Sequence, residues 1–348
     1  MSEDAPLGAQ RAAPSLLRDR LEHFYQTTTD PEIKISDFKP ISDGWETEVY
    51  SFTIMLRHQV ESAILRMYPG ASAADKCERE EQAFSLMMAY QYPVPLKMRW
   101  DETAERLGKP FLIMRRINGK PLGEVMRADN RRQAELLTRF VQLVVDLHQS
   151  KDYRSDLIHF VHYRPSIYTP ITISVWRKPM VEDRGQTWAI PIFDWLDAHK
   201  VNRMEWISPL HGDFHPNNVL LTPDDQLYVI DWSGFALGDY RVDLAWTLLL
   251  VSTMGYPELR PLILSEYERI SGHAVDNIEY FDVIAALKRL SEMAVSLTSG
   301  AESSGMRPET VELMRRQREH YQQVYALLKN ITGLSLSEIE RLIDGLGN

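Results

Sequence analysis

The chain has 348 residues, 44% of them hydrophobic and 25% charged, with a formal net charge of -10 and a single cysteine, Cys77. That length holds one large domain or two ordinary ones with ample core, and the composition is that of an ordinary soluble globular protein. One cysteine excludes an internal disulfide framework and fits a reducing compartment, so a cytoplasmic location is expected. The acidic balance, with no basic stripe interleaved with aromatics, argues against nucleic acid as a partner. The longest mostly apolar run, Leu244 to Met254, is too short to span a bilayer, and the opening residues carry Glu3 and Asp4 with no apolar core, so neither a membrane partner nor a secretory signal is expected.

Residues 1 to 12 show no apolar period and are expected to be disordered. Pro14 to Tyr25 predicts a short helix with Leu17, Leu21 and Tyr25 on one side, so residues 1–29 read as an N-terminal extension. From Ile35 the pattern turns to strands. Ile41 to Thr47 is a turn-like link into a strand over Glu48 to Met55, and Glu61 to Tyr68 is the next strand. Together they read as a hairpin whose first turn could lie over a triphosphate. Arg66 shares a strand face with Ile64 and Tyr68 in an otherwise apolar segment. A guanidinium there needs an anion: a phosphate or carboxylate gripped through two parallel hydrogen bonds, or an ordinary surface acid.

Lys76 to Tyr90 predicts a helix carrying Glu80, with Phe84 and Met87 at the following helical positions. After Pro93-Val94-Pro95, short β-like stretches end in Phe111 to Met114. The Gly- and Pro-bearing link Arg115 to Pro121 then marks a boundary between a lobe over 30–117 and a second over 118–348. Gln133 to His148 predicts a helix in which His148 is a packed core residue. Residues 150 to 190 are poorly periodic but hold Tyr153, Tyr163, Tyr168, Trp176 and Trp188; an insert of that length either shapes a binding pocket or packs irregularly onto the lobe. Pro191 to Trp206 predicts a helix, and residues 256–348 predict three or four more, including Asn277 to Thr298, Pro308 to Asn330 and Ser337 to Leu346.

Residues 208 to 246 carry the chemistry. Two apolar runs, Val219 to Leu221 and Leu227 to Ile230, flank a turn and predict a hairpin. With Asp224 and Asp225 as the turn residues, Val219 pairs with Ile230 and Asn218 lies opposite Asp231. Directly opposed Cβ atoms are about 4.5–5.5 Å apart, close enough for an amide oxygen and a carboxylate to share one Mg²⁺ whose other ligands are waters and substrate phosphates. Asp213, on the loop entering the hairpin, faces the same point and is the candidate base. Phosphoryl transfer asks for these parts: an Asp on the attacking hydroxyl, and an Asn and a second Asp on the metal. Asp239 and Asp243 precede and open a helix with Val242, Ala245, Trp246, Leu249 and Leu250 at helical spacing, and are expected to support the site by capping and charging that helix.

The stretch is similar to the catalytic segment of the aminoglycoside phosphotransferase and choline kinase-like family, small-molecule relatives of the protein kinases. The resemblance rests on His211-Gly212-Asp213 followed by Asn218, on Ile230-Asp231-Trp232, and on Gly238-Asp239 leading to Asp243-Leu244-Ala245. Protein kinases carry His-Arg-Asp with the same Asp-to-Asn spacing and Asp-Phe-Gly where this chain has Asp-Trp-Ser, which favours the small-molecule branch. The resemblance implies an α+β, two-lobed protein kinase-like fold, with a small β-rich lobe and a large, mostly helical one. It implies ATP or GTP as co-substrate with Mg²⁺, and a small-molecule hydroxyl acceptor such as an aminoglycoside, amino alcohol or sugar.

Gly44 becomes the remnant of the glycine-rich nucleotide loop, and Arg66 the phosphate-clamping cation. Glu80 becomes the partner that directs Arg66, with Glu78 and Glu81 as rivals. In the hinge the Arg115 carbonyl and Ile117 N–H meet the adenine, with Met114 behind. His211 is read as holding the loop and His215 as lining the acceptor side, and the C-terminal helices as walling the acceptor site. Two other functions are consistent with parts of the pattern. Asp213-Phe214-His215 with His211 nearby matches the opening of a two-metal phosphoesterase, though the Gly-Asn-His that family needs is missing. A nucleotide-binding protein without turnover fits the weak glycine loop.

Overall fold

The computed structural model describes residues 14–42, 47–70, 72–149, 167–168, 173–201, 206–254, 256–300 and 310–347. Gly44, residues 1–12, Tyr153 and Tyr163 lie outside the described residues. The chain divides into two units. One takes residues up to Glu81 together with Leu96–Arg116; the other takes Gln82–Pro95 and everything from Ile117 onward.

The smaller unit is built on an antiparallel five-stranded sheet in the order β1-β2-β3-β5-β4, with β1 Lys34–Ser42, β2 Glu48–Leu56, β3 Gln59–Met67, β4 Lys97–Asp101 and β5 Phe111–Arg115. Helix α1, Pro14–Thr28, starts at a proline, whose missing N–H costs nothing at a helix's first position. It buries Leu17, Leu21, Phe24 and Tyr25 in one core with Phe52, Leu65, Phe111 and Ile113 of the sheet. Fully burying a side chain of that size stabilises by about 1.5–3 kcal/mol. Expected from the sequence as an appendage, α1 is thus a structural part of the sheet's core. Helix α2, Ala73–Ala89, follows β3.

The larger unit is mostly helical. Its helices are α3 Leu122–Ala128, α4 Gln133–Gln149, α5 Ile173–Lys178, α6 Ile190–Ala198, α7 Tyr240–Thr253, α8 Leu259–Ser271, α9 Ile278–Ser299, α10 Thr310–Arg316, α11 Arg318–Thr332 and α12 Ser337–Gly345. Two small sheets thread them: β10-β9-β6, with β6 Lys120–Pro121, β9 Val219–Leu221 and β10 Leu227–Val229; and β7-β11-β8, with β7 Ile167–Tyr168, β8 Ser208–Leu210 and β11 Ala236–Gly238. Helix α7 is apolar around most of its circumference and is buried on every side, the mark of a central helix. It packs against α8, α9, α11 and β8. No helix among the described residues is long and apolar enough to cross a membrane.

Two predicted helices are shorter than the sequence pattern suggests. The one expected over Pro191 to Trp206 stops at Ala198, where His199 folds back: its ring stacks on Trp195 with centroids 4.1 Å apart and its Nδ1 lies 2.8 Å from the Trp195 carbonyl. The one expected over Pro308 to Asn330 is broken between α10 and α11. There Gln317 leaves helical geometry (φ -102°, ψ 25°) while its N–H is shared between the Leu313 and Met314 carbonyls, each at 3.1 Å.

Candidate active site

The hairpin between Asn218 and Asp231 forms, but in a register one residue away from that expected. Val219 pairs with Val229 and Leu221 with Leu227. The cause is the loop: Asp225 takes a left-handed conformation (φ 65°), so Pro223-Asp224-Asp225 becomes a three-residue loop closed by the Thr222 N–H on the Gln226 carbonyl at 2.9 Å. The Thr222 hydroxyl caps it, accepting from the Gln226 N–H at 3.0 Å, and Arg132 and Arg139 hold the Asp225 carboxylate at 2.8 and 2.9 Å. Asn218 therefore faces Ile230, whose N–H donates to the Asn218 carbonyl at 2.9 Å. Asp231 follows one step later and is not directly opposite Asn218. Its own φ of 65° turns the chain there, in the left-handed region that Asp tolerates better than most residues. Ser233 Oγ donates to its Oδ1 at 3.0 Å.

The loop His211 to Asn218 is fixed from beneath by Asp243, one turn into α7. Its carboxylate accepts from the His211 N–H at 2.9 Å and the Gly212 N–H at 2.8 Å, and lies 3.2 Å from His148 Nε2. Burial alone would raise this carboxyl, but His148 and the loop amides hold it below the usual range. Gly212 has φ 80°, and a Cβ there would stand 2.3 Å from the Gly234 carbonyl oxygen, so only glycine lets the loop pass that close to the Ser233-Gly234 turn. His211 is buried and ties the loop to the strand behind it: Nε2 lies 3.0 Å from the Ile230 carbonyl and Nδ1 accepts from the Asp213 N–H at 3.3 Å. Those partners require the neutral Nε2–H tautomer, and burial pushes the ring's pKa down in agreement. Asp239 caps α7, accepting from the Arg241 N–H at 3.0 Å while its carboxylate pairs with the buried Arg241 guanidinium at 2.6 Å.

Asp213 emerges from this frame. The Trp246 indole N–H donates to its Oδ1 at 3.0 Å, and the Asn218 amide donates to its Oδ2 at 3.2 Å and its carbonyl at 2.9 Å. His215 Nε2 is 3.5 Å from Oδ2. Burial in the fold works to raise the Asp213 carboxyl, yet His215 and the Trp246 N–H outweigh it and hold the group well below the ordinary carboxylate range. The side chain nonetheless keeps 41% of its surface open. Burial likewise works to lower His215, and the Asp213 carboxylate, with Asp231 behind it, raises it. In the neutral ring Nδ1 accepts from the Asn217 N–H at 3.2 Å, which caps the short 3₁₀ turn Pro216–Asn218.

In the smaller unit, Arg66 Nε lies 3.2 Å from Glu80 Oε2, and the same oxygen accepts from the Tyr68 hydroxyl at 2.5 Å. Glu80 is fully buried, whereas its rival Glu81 is engaged by Lys97. Met114 is buried on β5 opposite Ile64 of β3. Arg115 is exposed; its N–H donates to the Leu96 carbonyl at 2.8 Å and its guanidinium to Glu61 at 2.9 Å. Ile117 begins the larger unit and is half-buried.

A model of the phosphotransferase enzyme family matches residues 37–290. The chain belongs to this family. Among solved structures it is similar to the aminoglycoside phosphotransferase APH(4)-Ia, with 15% identity, a TM-score of 0.59, and 91% of this chain and 99% of that one covered. It is also similar to LicA in complex with AMP (12% identity, TM-score 0.58, 90% and 98% covered) and to the macrolide 2'-phosphotransferase MphH of Brachybacterium faecium (14%, TM-score 0.56, 82% and 97%). A curated relative, acyl-CoA dehydrogenase family member 11 of Rattus norvegicus, is 24% identical over 223 residues, 61% of this chain; the match spans 28% of that relative's length. The fold is thus the two-lobed, protein kinase-like α+β fold that the motifs imply, and family and fold together support phosphotransferase activity in general.

Several residues that hold Asp213, Glu80 and the loop around them escape a reading of the sequence. Trp246 reads as one apolar position of α7, yet its N–H sets the Asp213 carboxylate. His148 reads as core, and it is buried, but it also carries Asp243. Tyr68, which bonds Glu80, gives no signal beyond its strand alternation. Trp232 fills the position after Asp231 with a fully buried ring packed against His211 and Tyr92, at centroid distances of 4.6 and 5.8 Å.

Proposed function

We propose that the chain transfers the γ-phosphoryl group of ATP, or of GTP, to a hydroxyl of a small molecule. On this reading residues 30–117 mainly bind nucleotide and residues 118–348 supply the catalytic groups and the acceptor site. The observation that carries it is the state of Asp213: charged, partly open, and held by Trp246 on one oxygen and Asn218 on the other.

A hydroxyl donating to such a carboxylate is oriented for in-line attack. Its oxygen forms the new bond to phosphorus, the bond from phosphorus to the β–γ bridging oxygen breaks, and ADP leaves with that electron pair. The hydroxyl proton passes to Asp213. A carboxyl held this far below its usual range is a weak base, so its main contribution is orientation, which suits a loose transition state that needs little proton removal before bond breaking.

The donor chemistry fits Mg²⁺. Asn218 uses its amide N–H₂ on Asp213, leaving Oδ1 as an acceptor, and Asp231 adds a half-buried carboxylate; two hard oxygens suit an ion that keeps waters and substrate phosphates. Asn218 and Asp231 would hold such an ion, which would supply neutralisation of charge on the phosphates. Arg66, directed by Glu80, would grip phosphate oxygens, and Arg115, Ile117 and Met114 would meet the base. His215 would line the acceptor side. The phosphoesterase alternative loses support because both nitrogens of the buried His211 are engaged within the fold.

The test is Mg²⁺- and ATP-dependent ADP release over a panel of aminoglycosides, amino alcohols and sugars. Hydroxyacyl-CoA thioesters belong in the panel because the rat relative is named for acyl-CoA chemistry. Acceptor-stimulated release, abolished in Asp213→Asn and Asp231→Ala, is the expected result. Mg-ATP binding without release for any acceptor would favour a nucleotide-binding protein without turnover, and no binding at all would sink the assignment.

A further inference from the structure

In the smaller unit, an open cavity of about 810 Å³ lies where β2 turns into β3, a volume within the range of small-molecule sites. The C-terminal end of α1 closes one side, and the start of β4 and the end of β5 close the other. Its floor is apolar: Tyr25, Ile33 and Ile54 belong to the core that α1 makes with the sheet. Ala63 and Leu65 of β3 face that same core. Strand residues alternate between faces, so Arg66, bound to Glu80, points to the opposite side, and neither residue lines the cavity. The cavity is therefore apart from the proposed phosphate clamp.

The chain has a formal net charge of -10, yet among the described residues this wall carries Lys97, Arg99, Arg115 and Arg116 against Glu61 alone. Glu61 takes Arg115 at 2.9 Å, and Lys97 is engaged by Glu81. Arg99 and Arg116 are exposed, and no carboxylate among the described residues pairs with either. Arg99 donates to the Met98 carbonyl at 2.8 Å and to the Thr29 hydroxyl at 3.4 Å; Arg116 is bonded through its backbone N–H, to the Ser62 carbonyl at 2.9 Å. Val60 and Leu96 add apolar surface that is 69% and 40% exposed. The buried Tyr25 hydroxyl has no hydrogen-bond partner among the described residues, a polar group that the fold itself leaves incomplete. We infer that this cavity is a second ligand site, for a small amphipathic anion whose phosphate or carboxylate is held by Arg99 and Arg116 and whose apolar body covers Val60 and Leu96. A guanidinium presents a planar fork of donors that fits either anion, and it sheds its water more readily than an ammonium. The site does not depend on the reading of Asp213.

The test uses the full chain with methionine methyl groups labelled for NMR. Met98 lines the cavity and Met114 lies on the other face of the sheet, so their resonances, assigned through Met98→Leu and Met114→Leu, separate this site from the face of Arg66. The probes are benzyl phosphate, phenylacetate, benzyl alcohol and inorganic phosphate. The two aromatic anions are expected to shift Met98 and leave Met114 in place. They should bind about 10- to 100-fold more tightly than benzyl alcohol, the range of one charge-assisted hydrogen bond. Inorganic phosphate, without an apolar body, should bind about tenfold more weakly than benzyl phosphate. Which aromatic anion binds more tightly tells phosphate from carboxylate.

In the double variant Arg99→Gln, Arg116→Gln the preference for anions is expected to vanish, with binding reduced to that of benzyl alcohol. Val60→Glu, which places a negative charge at a surface position of the same wall, should weaken both aromatic anions at least tenfold while the fold is kept. The inference is overturned if no anionic probe shifts Met98, or if benzyl alcohol binds as tightly as the anions. It is equally overturned if the preference survives the double variant, or if the probes shift Met114 and leave Met98 unchanged. ADP release with Mg-ATP, measured separately, decides the phosphoryl-transfer reading without bearing on this one.

Discussion

Replacing Asp243 by Asn keeps the side chain's shape and removes one acceptor. The carboxylate faces three polar groups, the N–H of His211, the N–H of Gly212 and His148 Nε2, with no exposure to water. An amide has one oxygen to offer, so in either orientation its NH₂ confronts at least one buried backbone N–H. Losing a charge-assisted hydrogen bond costs about 1.5–3 kcal/mol, and a buried donor left without a partner about 1–3 kcal/mol. A destabilisation of about 3–5 kcal/mol is expected, a large part of the 5–15 kcal/mol that typically holds a domain together. Were Asp243 only a charge in the first turn of α7, the cost would be about 0.3–1 kcal/mol. Urea unfolding separates these values, and a loss below 1 kcal/mol would refute the three-partner account. Because the same amides place Asp213, kcat/KM should also fall about 100-fold or more in the fraction that folds, the usual consequence of a 1 Å misplacement.

Gly212→Ala meets both a left-handed backbone, costing about 1–2 kcal/mol for an L-residue, and a Cβ 2.3 Å from a carbonyl oxygen; lost turnover with Mg-ATP binding retained is expected, and wild-type turnover would contradict the close-packed loop. Trp246→Phe keeps an aromatic ring but removes the donor to Asp213 Oδ1, so kcat should drop about five- to tenfold, the equivalent of about 1–1.4 kcal/mol, and an unchanged kcat would remove Trp246 from the site. Acid stability should depend on His320, whose pKa burial and then Arg289 push down to about 3. The folded ring stays neutral while the unfolded one takes up a proton, so its contribution is full above about pH 6.5. Below that it is lost at up to about 1.4 kcal/mol per pH unit, with buried His211 acting in the same direction. His215, raised in the fold, has the opposite sign and weakens the fold as pH climbs through its folded value. Melting temperatures of His320→Gln between pH 7 and 5 should fall less steeply than those of the wild type, and parallel curves would refute the assignment.

The parts of the site legible in the sequence are those where residue type, spacing and local backbone rules agree. His211-Gly212-Asp213, Asn218 and Asp231 fall on one loop and one hairpin because that hairpin is local and its turn chemistry is written in Thr222 to Gln226. The register differs by one residue from the expected one for a local reason too: an Asp at φ 65° converts a two-residue turn into a three-residue loop, and Asp visits that conformation only occasionally, so its presence in a turn does not mark it. Glu80 could not be separated from Glu78 and Glu81 by periodicity, since a small error in helix phase moves the chosen face by a residue. The structure separates them through Tyr68, a partner twelve positions away. Trp246 and His148 were hidden for a different reason: each occupies an apolar helical face as its period demands, and the polar atom at the tip of an amphipathic ring leaves no trace in that period.

The acidic residues of the segment show why a perturbed carboxyl does not by itself mark chemistry. Asp213 and Asp243 are both held below the ordinary range, both against a burial effect of opposite sign. What divides them is access and the nature of their partners. Asp243 is sealed, and its oxygens are taken by backbone amides and a histidine of the fold. Asp213 keeps 41% of its side-chain surface open, and its partners are side chains that fix its plane. A lowered pKa on a sealed carboxylate is energy invested in holding a loop; on an open one it keeps a charged acceptor available, which under the proposed function would meet the hydroxyl of the incoming molecule. The first carboxylate is needed so that the second is in place, and for that reason Asp243→Asn and Trp246→Phe should damage the same step through different measurable routes. The former should lower stability and turnover together, and the latter turnover with much less effect on stability.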